Sequence, residues 1–320
     1  VEGIPEDAIQ LNLNGLATSF EWRVMPGNAI PQGPGGQGFP PHILVTFDGT
    51  SAEDAVANNL QRMYIFPTEA YVNLYQANGS QIVAEQVVRL GQLISTADSR
   101  SELPESPMPL LPPPGNTMDR WFQFQDLDFG AGKGVRYVSD SPFRQSIGVW
   151  ANDTIGYYYQ GLTTDQTFYV SLYWPASTDA LPATAADASQ EQTDAANNPD
   201  TYPIYAQETK DTLNALPASA WSPDLTLLDG LASSLTFPLP ADTEADEEED
   251  TGEAEVEEAA DEEEAAEGEE GVLPKPEAGD ASGTVTAPDG IFIRSGPGTE
   301  YPDIGVAAFD ATVKITGVSE

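Results

Sequence analysis

The side chains that most often perform catalysis are scarce in this chain of 320 residues. It contains no cysteine, and its single histidine is His42. Without cysteine the chain has no thiol nucleophile, no ligands for an iron–sulfur cluster and no thiolate zinc site. A serine–histidine–aspartate triad could be built only around His42. Because His42 follows two prolines and opens an apolar run, we expect it at the edge of a β-strand rather than in a catalytic site.

Carboxylates are the next candidates for chemistry. Asp126 and Asp128 are two residues apart in an apparent strand, so their side chains would share one face. Paired carboxylates can bind a metal or perform acid–base chemistry such as glycoside hydrolysis. The sequence identifies no third ligand, and we predict no metal site, no cofactor and no catalytic residue. The adjacent segment 130–134 is rich in glycine, but it lies between two apparent strands, which favours a hairpin over a phosphate-binding loop.

Aromatic side chains could bind a sugar by stacking. Tyr157, Tyr158 and Tyr159 are consecutive, and strand alternation would place Tyr157 and Tyr159 on one face and Tyr158 on the other. Together with Trp150 and Trp174, they could form a stacking platform, which makes Tyr157 and Tyr159 candidate ligand-binding residues. The alternative is that these rings fill the core, as aromatic residues of strands more often do.

The net charge narrows the class of partner. Twelve basic residues oppose 52 acidic ones, which gives a formal net charge of −40. A protein of this charge repels nucleic-acid phosphates and anionic membranes, so we predict neither as a partner. The sequence also lacks the apolar run of about 18 residues that a membrane-spanning helix requires.

Much of this charge lies in one segment, residues 241–270, which holds 18 acidic residues and no basic one. The segment has almost nothing apolar to bury and repels itself, so we expect an extended, disordered linker that continues to residue 282. It lacks the ligand spacing of an EF-hand calcium loop. The sequence therefore predicts three parts, namely a folded domain over 6–240, an acidic linker over 241–282 and a C-terminal module over 283–320.

The elements of the 6–240 domain must position any site in it. Four runs rich in aromatic and β-branched residues predict a four-stranded antiparallel meander, and they are 120–129, 135–139, 154–160 and 167–174. Further strands are predicted at 42–47 and 62–66. Alternating runs on both sides of Asn14-Gly15 predict a hairpin over residues 9–24.

Helical patterns flank the predicted strands. The sequence predicts helices over 68–76 with Thr68 as the N-cap, over about 80–94, over 202–216 and after Ser222 as the N-cap. Residues 176–199 are polar and alanine-rich and predict a lid-like excursion. Helices grouped before and after the meander indicate the α+β class, an antiparallel β-meander with flanking helices.

Two resemblances bear on the large domain. The segments 127–137, 159–163 and 169–175 resemble an uncharacterised domain of secreted bacterial proteins and lipoproteins. A meander closed by a helix that ends at residues 233–237 is also similar to the Mog1/PsbP-like fold. Both resemblances concern fold and imply no activity.

The C-terminal residues carry a more specific pattern. It consists of Ile291, Phe292, Ile293, Arg294, Ser295, Gly296, Pro297, Gly298, Thr299, Glu300 and Tyr301, followed by residues 303–306 and 312–317. This order of residues resembles the bacterial SH3 (SH3b) family. The resemblance implies a partial small β-barrel that binds cell-wall peptides or other envelope components, with Arg294, Ser295 and Tyr301 as candidate ligand-binding residues. Because the last strands of the family pattern are absent, we expect a marginally stable fragment.

These observations lead to a functional hypothesis. The chain is expected to be a non-enzymatic, secreted or surface-anchored bacterial protein, located outside the cell or on its surface. Its partner would be a cell-wall polymer, a peptide or a surface protein, bound by the SH3b-like module at the end of the linker. The alternatives are a carboxylate-dependent glycan hydrolase that uses the module as a targeting tag, and an extracellular assembly subunit.

Overall fold

Seven antiparallel strands with helices on both faces make up the first of two units of the chain. The computed structural model describes residues 9–31, 37–104, 107–113, 120–140 and 147–237, and four short strands between residues 282 and 314. The two units are Val1–Glu247 and Glu248–Glu320. The antiparallel sheet and its flanking helices confirm the predicted α+β class for the first unit.

The strands of the sheet follow the aromatic and β-branched runs of the sequence. They are β1 (Phe20–Met25), β2 (His42–Phe47), β3 (Arg62–Pro67), β4 (Trp121–Asp126), β5 (Gly132–Asp140), β6 (Ile155–Thr163) and β7 (Phe168–Pro175). Their order across the sheet is β1-β2-β3-β7-β6-β5-β4. Strands β4 to β7 form the predicted meander, and β3 pairs with β7, so β1 and β4 are the two edges of the sheet.

Six α-helices and one short ribbon complete the described part of this unit. The helices are α1 (Ala52–Ala57), α2 (Thr68–Gln76), α3 (Ile82–Thr96), α4 (Gln190–Asn197), α5 (Tyr202–Ala215) and α6 (Leu225–Ser233). The ribbon pairs β8 (Ser177–Thr178) with β9 (Trp221–Ser222). The predicted excursion over residues 176–199 therefore contains β8 and α4.

Each face of the sheet buries its own apolar cluster. The first face packs against α6, whose Leu225, Leu228 and Leu231 form the predicted apolar stripe and are fully buried. The second face packs against α2, α3 and the segment 107–113. Burial of large apolar side chains on both faces supplies the main driving force for this fold.

Three local predictions are wrong. The turn at Asn14-Gly15 is present, but β1 pairs with β2, and Gln10 instead forms a bridge with Thr236, so residues 9–24 are not a hairpin. Thr68 is the first residue of α2 rather than its N-cap. The N-cap of α6 is Asp224, whose carboxylate accepts a hydrogen bond from the Thr226 amide and places negative charge at the positive end of the helix.

Four short strands are described in the second unit, and they pair in two antiparallel ladders. The pairs are β10 (Ser282–Thr284) with β13 (Thr312–Lys314) and β11 (Ile291–Arg294) with β12 (Asp303–Ala307). Strands β11, β12 and β13 overlap the three segments of the SH3b-like pattern, which are 291–301, 303–306 and 312–317. Residues 241–281 of the predicted acidic linker and residues 295–302 of the SH3b-like pattern lie outside the described residues.

None of the helices that the structure describes has the length and apolar character needed to cross a lipid bilayer.

Candidate functional site

The candidate stacking residues Tyr157 and Tyr159 lie in the core. Both rings are fully buried on the first face of the sheet, while Tyr158 lies on the second face, as strand alternation requires. The Tyr159 hydroxyl donates to the Leu127 carbonyl oxygen. Neither ring is exposed to a ligand, so the core interpretation of these residues describes the structure and the sugar-platform interpretation does not.

A buried ion pair lies beside Tyr157 on the first face. The Nε of Arg136, on β5, is 3.0 Å from the Oδ1 of Asp229, on α6, and only 6% of the arginine side chain is exposed. The Tyr157 hydroxyl donates to the same oxygen at 3.0 Å. Arg136 also donates to the Gln123 carbonyl oxygen and to the Gln125 Oε1 atom. Asp229 thus connects α6 directly to β5 and β6, and Arg136 extends the connection to β4.

Burial shifts the pKa values of Asp229 and Tyr157. It raises the pKa of the Asp229 carboxyl, and the Arg136 guanidinium and the Tyr157 hydroxyl oppose that shift. Burial also raises the pKa of the Tyr157 hydroxyl well above its ordinary value, so this group stays protonated and can donate. All the groups of the pair face one another inside the protein. The arrangement therefore stabilises the packing of α6 and presents no reactive group to solvent.

A bulge in β4 links the sheet to the end of α5. Gln123 has a φ of +54°, and the pairing register with β5 shifts between Phe122 and Gln125. The bulge turns the Gln123 amide toward the Asn214 Oδ1 atom at 2.7 Å, and its side chain donates to carbonyl oxygens at the C-terminal end of α5. The Gln123 side chain thus satisfies carbonyls that a helix end leaves without partners.

Gln160 organises the polar groups of the second face. This residue is fully buried in the middle of β6. Its Oε1 atom accepts from the Leu111 amide at 3.2 Å and from the Tyr169 hydroxyl at 2.9 Å. Its Nε2 atom donates to the Ser171 Oγ atom at 3.0 Å, and Ser171 donates to the Leu111 carbonyl oxygen. Gln160 therefore holds the segment 107–113 against the sheet together with Tyr137, whose hydroxyl donates to the Pro109 carbonyl oxygen.

An open groove of about 450 Å³ lies at the end of α3. Arg89 and Arg100 contribute two guanidinium groups to its wall. Arg100 pairs with the Asp126 carboxylate at 3.1 Å, lies over the Phe124 ring and donates to the Leu93 carbonyl oxygen. Arg89 is also engaged within the protein. The groove can admit a small polar ligand, but both of its guanidinium groups already have partners.

The two carboxyls with a raised pKa, Asp126 and Asp229, lie on opposite faces of the sheet. Burial raises the pKa of Asp126, and Arg100 opposes the shift. Asp126 lies opposite Val135, whose side chain packs on the second face, whereas Asp229 contacts Arg136 and Tyr157 on the first face. Among the described residues these are the two carboxyls whose pKa is raised overall, with burial as the largest cause, and the sheet separates them. Asp128, the other candidate carboxylate, is exposed beyond the end of β4, and its charge raises the pKa of Asp126 further.

His42 occupies the position that the sequence predicts, at the start of β2. It is buried, its Nδ1 atom is 2.9 Å from the Pro40 carbonyl oxygen, and the rings of Phe39, Tyr64 and Phe66 surround it. Burial lowers the pKa of His42 below 6.5, and the hydrogen bond to Pro40 opposes that shift. The described contacts of His42 include neither a carboxylate nor a serine or threonine hydroxyl, so they do not form a triad.

The lowered pKa of His42 predicts an acid-sensitive step in stability. The unfolded state binds a proton near pH 6.5, but the folded state does so only at lower pH. The contribution of neutral His42 to the stability of the fold is therefore complete above pH 6.5. It is lost as the pH falls from 6.5 through the lower pKa of the folded state. Urea unfolding between about pH 7.5 and pH 5.5 should show this loss, and it should be absent from His42→Phe. An NMR titration of this single histidine with a midpoint at or above pH 6.5 would contradict the prediction.

The described residues contain no group of three or more histidine, cysteine, aspartate or glutamate side chains that could hold a metal ion. No protein-family model, curated protein or solved structure matches this chain at a significant level. The chain's own sequence pattern and the geometry of its described residues are therefore the basis for a functional proposal.

The candidate ligand-binding residues of the C-terminal module lie partly outside the described structure. Arg294 is the last residue of β11, and its backbone lies opposite Asp303 in the β11–β12 ladder. Ser295 and Tyr301 lie outside the described residues, in the connection between these strands.

The sequence contains signals for the buried ion pair. Asp229 follows Leu225 by four residues, which places its carboxylate on the apolar stripe of α6. Arg136 lies between Val135 and Tyr137, in the apolar middle of β5. Opposite charges at two such positions suggest a buried pair, although their partnership across 93 residues could not be predicted.

Proposed function

We propose that this chain is a non-enzymatic bacterial protein that works outside the cell or on its surface. Its C-terminal module binds a polymer or peptide of the cell wall, and the acidic linker tethers the module to the α+β domain. The observation that carries the proposal is the SH3b-like order of residues 291–317. Its support from the backbone is the antiparallel pairing of β11 with β12 on the two sides of the segment 295–302.

The linker supports a tethering role by its length and charge. A chain of 42 residues, the length of the segment 241–282, can span at most about 150 Å when fully extended. The 18 acidic residues between 241 and 270 favour extension through mutual repulsion. A wall-bound module on such a linker leaves the α+β domain free to meet other molecules.

A carboxylate-dependent glycan hydrolase is the alternative function. Glycosidases place two carboxyl groups on either side of the scissile bond, within about 10 Å of each other. Of the candidate pair, Asp126 is already paired with Arg100, and Asp128 is exposed beyond the end of β4. Asp229, the other carboxyl with a raised pKa, lies on the opposite face of the sheet and is paired with Arg136. This arrangement favours the binding proposal over the hydrolase.

Binding to the wall is tested with the full chain and purified bacterial peptidoglycan in a sedimentation assay. Arg294→Ala and Tyr301→Ala are expected to weaken binding by about tenfold or more, because a small module concentrates its affinity in a few arginine and aromatic side chains. Lys133→Ala is the matched control, since it removes one exposed positive charge from the α+β domain.

Three results would count against the proposal. They are a wild-type chain that stays in the supernatant, two variants that both sediment like the wild type, and a Lys133 control that loses as much binding as the Arg294 variant.

A further inference from the structure

No strand among the described residues pairs with the outer edge of β1. In an antiparallel ladder, every second pair of residues exchanges both hydrogen bonds, and the residues between these pairs point their backbone groups away from that neighbour. The Asp48 amide donates to the Ser19 carbonyl oxygen at 3.0 Å, which makes Ser19 and Asp48 a bonded pair at the start of the β1–β2 ladder. Continuing the register, Glu21 and Arg23 are bonded to β2.

The intervening residues Phe20, Trp22 and Val24 therefore direct their N–H and C=O groups away from the sheet. The hydrogen bonds of β3 lead to the same assignment. The Thr68 amide donates to the Thr167 carbonyl oxygen, so even-numbered residues of β3 face β7 and odd-numbered ones face β2. In β2 the even-numbered residues are then left to bond to β1, opposite Glu21 and Arg23. No hydrogen bond joins these outward backbone groups to another described residue. Such an edge is a template for a further strand.

The other edge of the sheet is protected. In β4 the bulge at Gln123 interrupts the ladder, and the Gln123 amide is bonded to the Asn214 side chain of α5. Bulges and covering helices are common means of preventing edge-to-edge pairing. The contrast shows that one edge is closed by specific contacts, whereas no described contact closes the other.

The side chains of β1 are suited to a second copy of the same strand. Phe20 and Trp22 pack against the core of the first face, and Val24 extends this apolar row but is 54% exposed. On the opposite face, Glu21 and Arg23 are exposed and lie 3.1 Å apart. The strand thus carries an apolar row on one face and one charge of each sign on the other.

We propose that two copies of this chain pair through β1, antiparallel, about a two-fold axis at Trp22. Trp22 then lies opposite its counterpart, Phe20 opposite Val24 of the second copy, and Glu21 opposite Arg23 of the second copy. The three outward-facing residues form bonded pairs, with about six backbone hydrogen bonds in all. The two seven-stranded sheets become one continuous sheet, and the apolar row of the first face continues across the interface.

The charges of Glu21 and Arg23 favour this register over the two adjacent ones. The outward backbone groups must face one another, which places the two-fold axis on a residue rather than between two residues. An axis at Glu21 would place two glutamates opposite each other, and an axis at Arg23 would place two arginines opposite each other. Like charges directly opposite on neighbouring strands are unfavourable. The axis at Trp22 instead forms two pairs of opposite charge, and this self-complementarity favours a second copy over an unrelated peptide.

The test uses sedimentation velocity of the full chain over about 1–100 µM, in about 0.15 M salt to screen the net charge of the chain. The wild type should change from monomer to dimer with concentration. Glu21→Arg places like charges opposite each other twice, as does Arg23→Glu, and each should raise the dimer Kd by about tenfold or more. Both side chains are exposed, so the fold should persist.

Two matched controls identify the register. The double variant Glu21→Arg with Arg23→Glu exchanges the charges and should dimerise like the wild type. Mixing the two single variants should give a heterodimer, because each supplies the charge that the other lacks. A wild type that stays monomeric, single variants that dimerise normally, or a double variant that does not dimerise would each overturn the proposal. Because the C-terminal module takes no part, wall binding and dimerisation can fail separately.

Discussion

Replacing Asp229 with alanine is expected to lower the free energy of unfolding by about 3–5 kcal/mol. The variant removes the carboxylate that faces Arg136 at 3.0 Å and leaves a guanidinium with 6% of its side chain exposed without a counter-charge. It also removes the acceptor of the fully buried Tyr157 hydroxyl. All five tryptophans lie between residues 22 and 221, so urea unfolding followed by tryptophan fluorescence reports on this domain.

The matched control for this prediction is Asp211→Ala, which removes an exposed aspartate of α5 and should cost less than about 0.5 kcal/mol. The pair can also be removed together. Arg136→Met combined with Asp229→Leu should be more stable than Asp229→Ala alone, because it leaves no buried charge. If Asp229→Ala unfolds at the same urea concentration as Asp211→Ala, the ion pair contributes no net stability and the prediction is wrong.

The meander was predictable because its signals are local. Strands β4 to β7 are dense in aromatic and β-branched residues, and short polar or glycine-rich segments separate β4 from β5 and β6 from β7. The helix α6 was predictable for the same reason, since its leucines recur at helical spacing. In both cases the residues that determine an element lie within that element.

The predicted hairpin at residues 9–24 failed because strand pairing is not local. Asn14-Gly15 does turn the chain, and both flanking runs alternate as strands do. However, β1 buries Phe20 and Trp22 by pairing with β2, and Gln10 pairs with Thr236 near the other end of the domain. Alternation identifies a residue as strand-forming, but burial against distant residues decides its partner.

The polar interior could not be predicted for a related reason. Apart from the adjacent Tyr159 carbonyl, the partners of Gln123, Arg136 and Gln160 are between 9 and 93 residues away, and they lie on other elements or segments. Each position is permitted only because the fold satisfies its polar atoms. The tyrosine candidates show the opposite case, because a run of three aromatic residues in a strand is compatible with both a surface platform and a core.

The two proposals together describe a bivalent particle. A dimer formed through β1 would carry two C-terminal modules, each on its own linker. Cell-wall polymers repeat along their length, so binding of one module raises the effective concentration of the second one. A module that binds weakly alone would then hold the dimer on the wall.

The second large effect is expected from Gln160→Leu, which should lower the free energy of unfolding by about 2–5 kcal/mol. Leucine fills a similar volume, but it leaves the Leu111 amide and the Tyr169 hydroxyl without their acceptor in the interior. The loss should be partly local, because Gln160 holds the segment 107–113 on the sheet. Hydrogen exchange of the Leu111 amide should therefore become faster, in addition to the shift of the urea transition.

Two variants distinguish the hydrogen-bond network from a simple change of volume. Gln207→Leu makes the same replacement at an exposed position of α5 and should leave the stability within about 0.5 kcal/mol of wild type. Tyr169→Phe removes one of the two groups that Gln160→Leu leaves without an acceptor. The double variant of Gln160→Leu and Tyr169→Phe should therefore lose less than the two single losses combined, since orphaned polar groups rather than missing bonds carry most of the cost. Strict additivity, with unchanged exchange at Leu111, would mean that Gln160 contributes only packing.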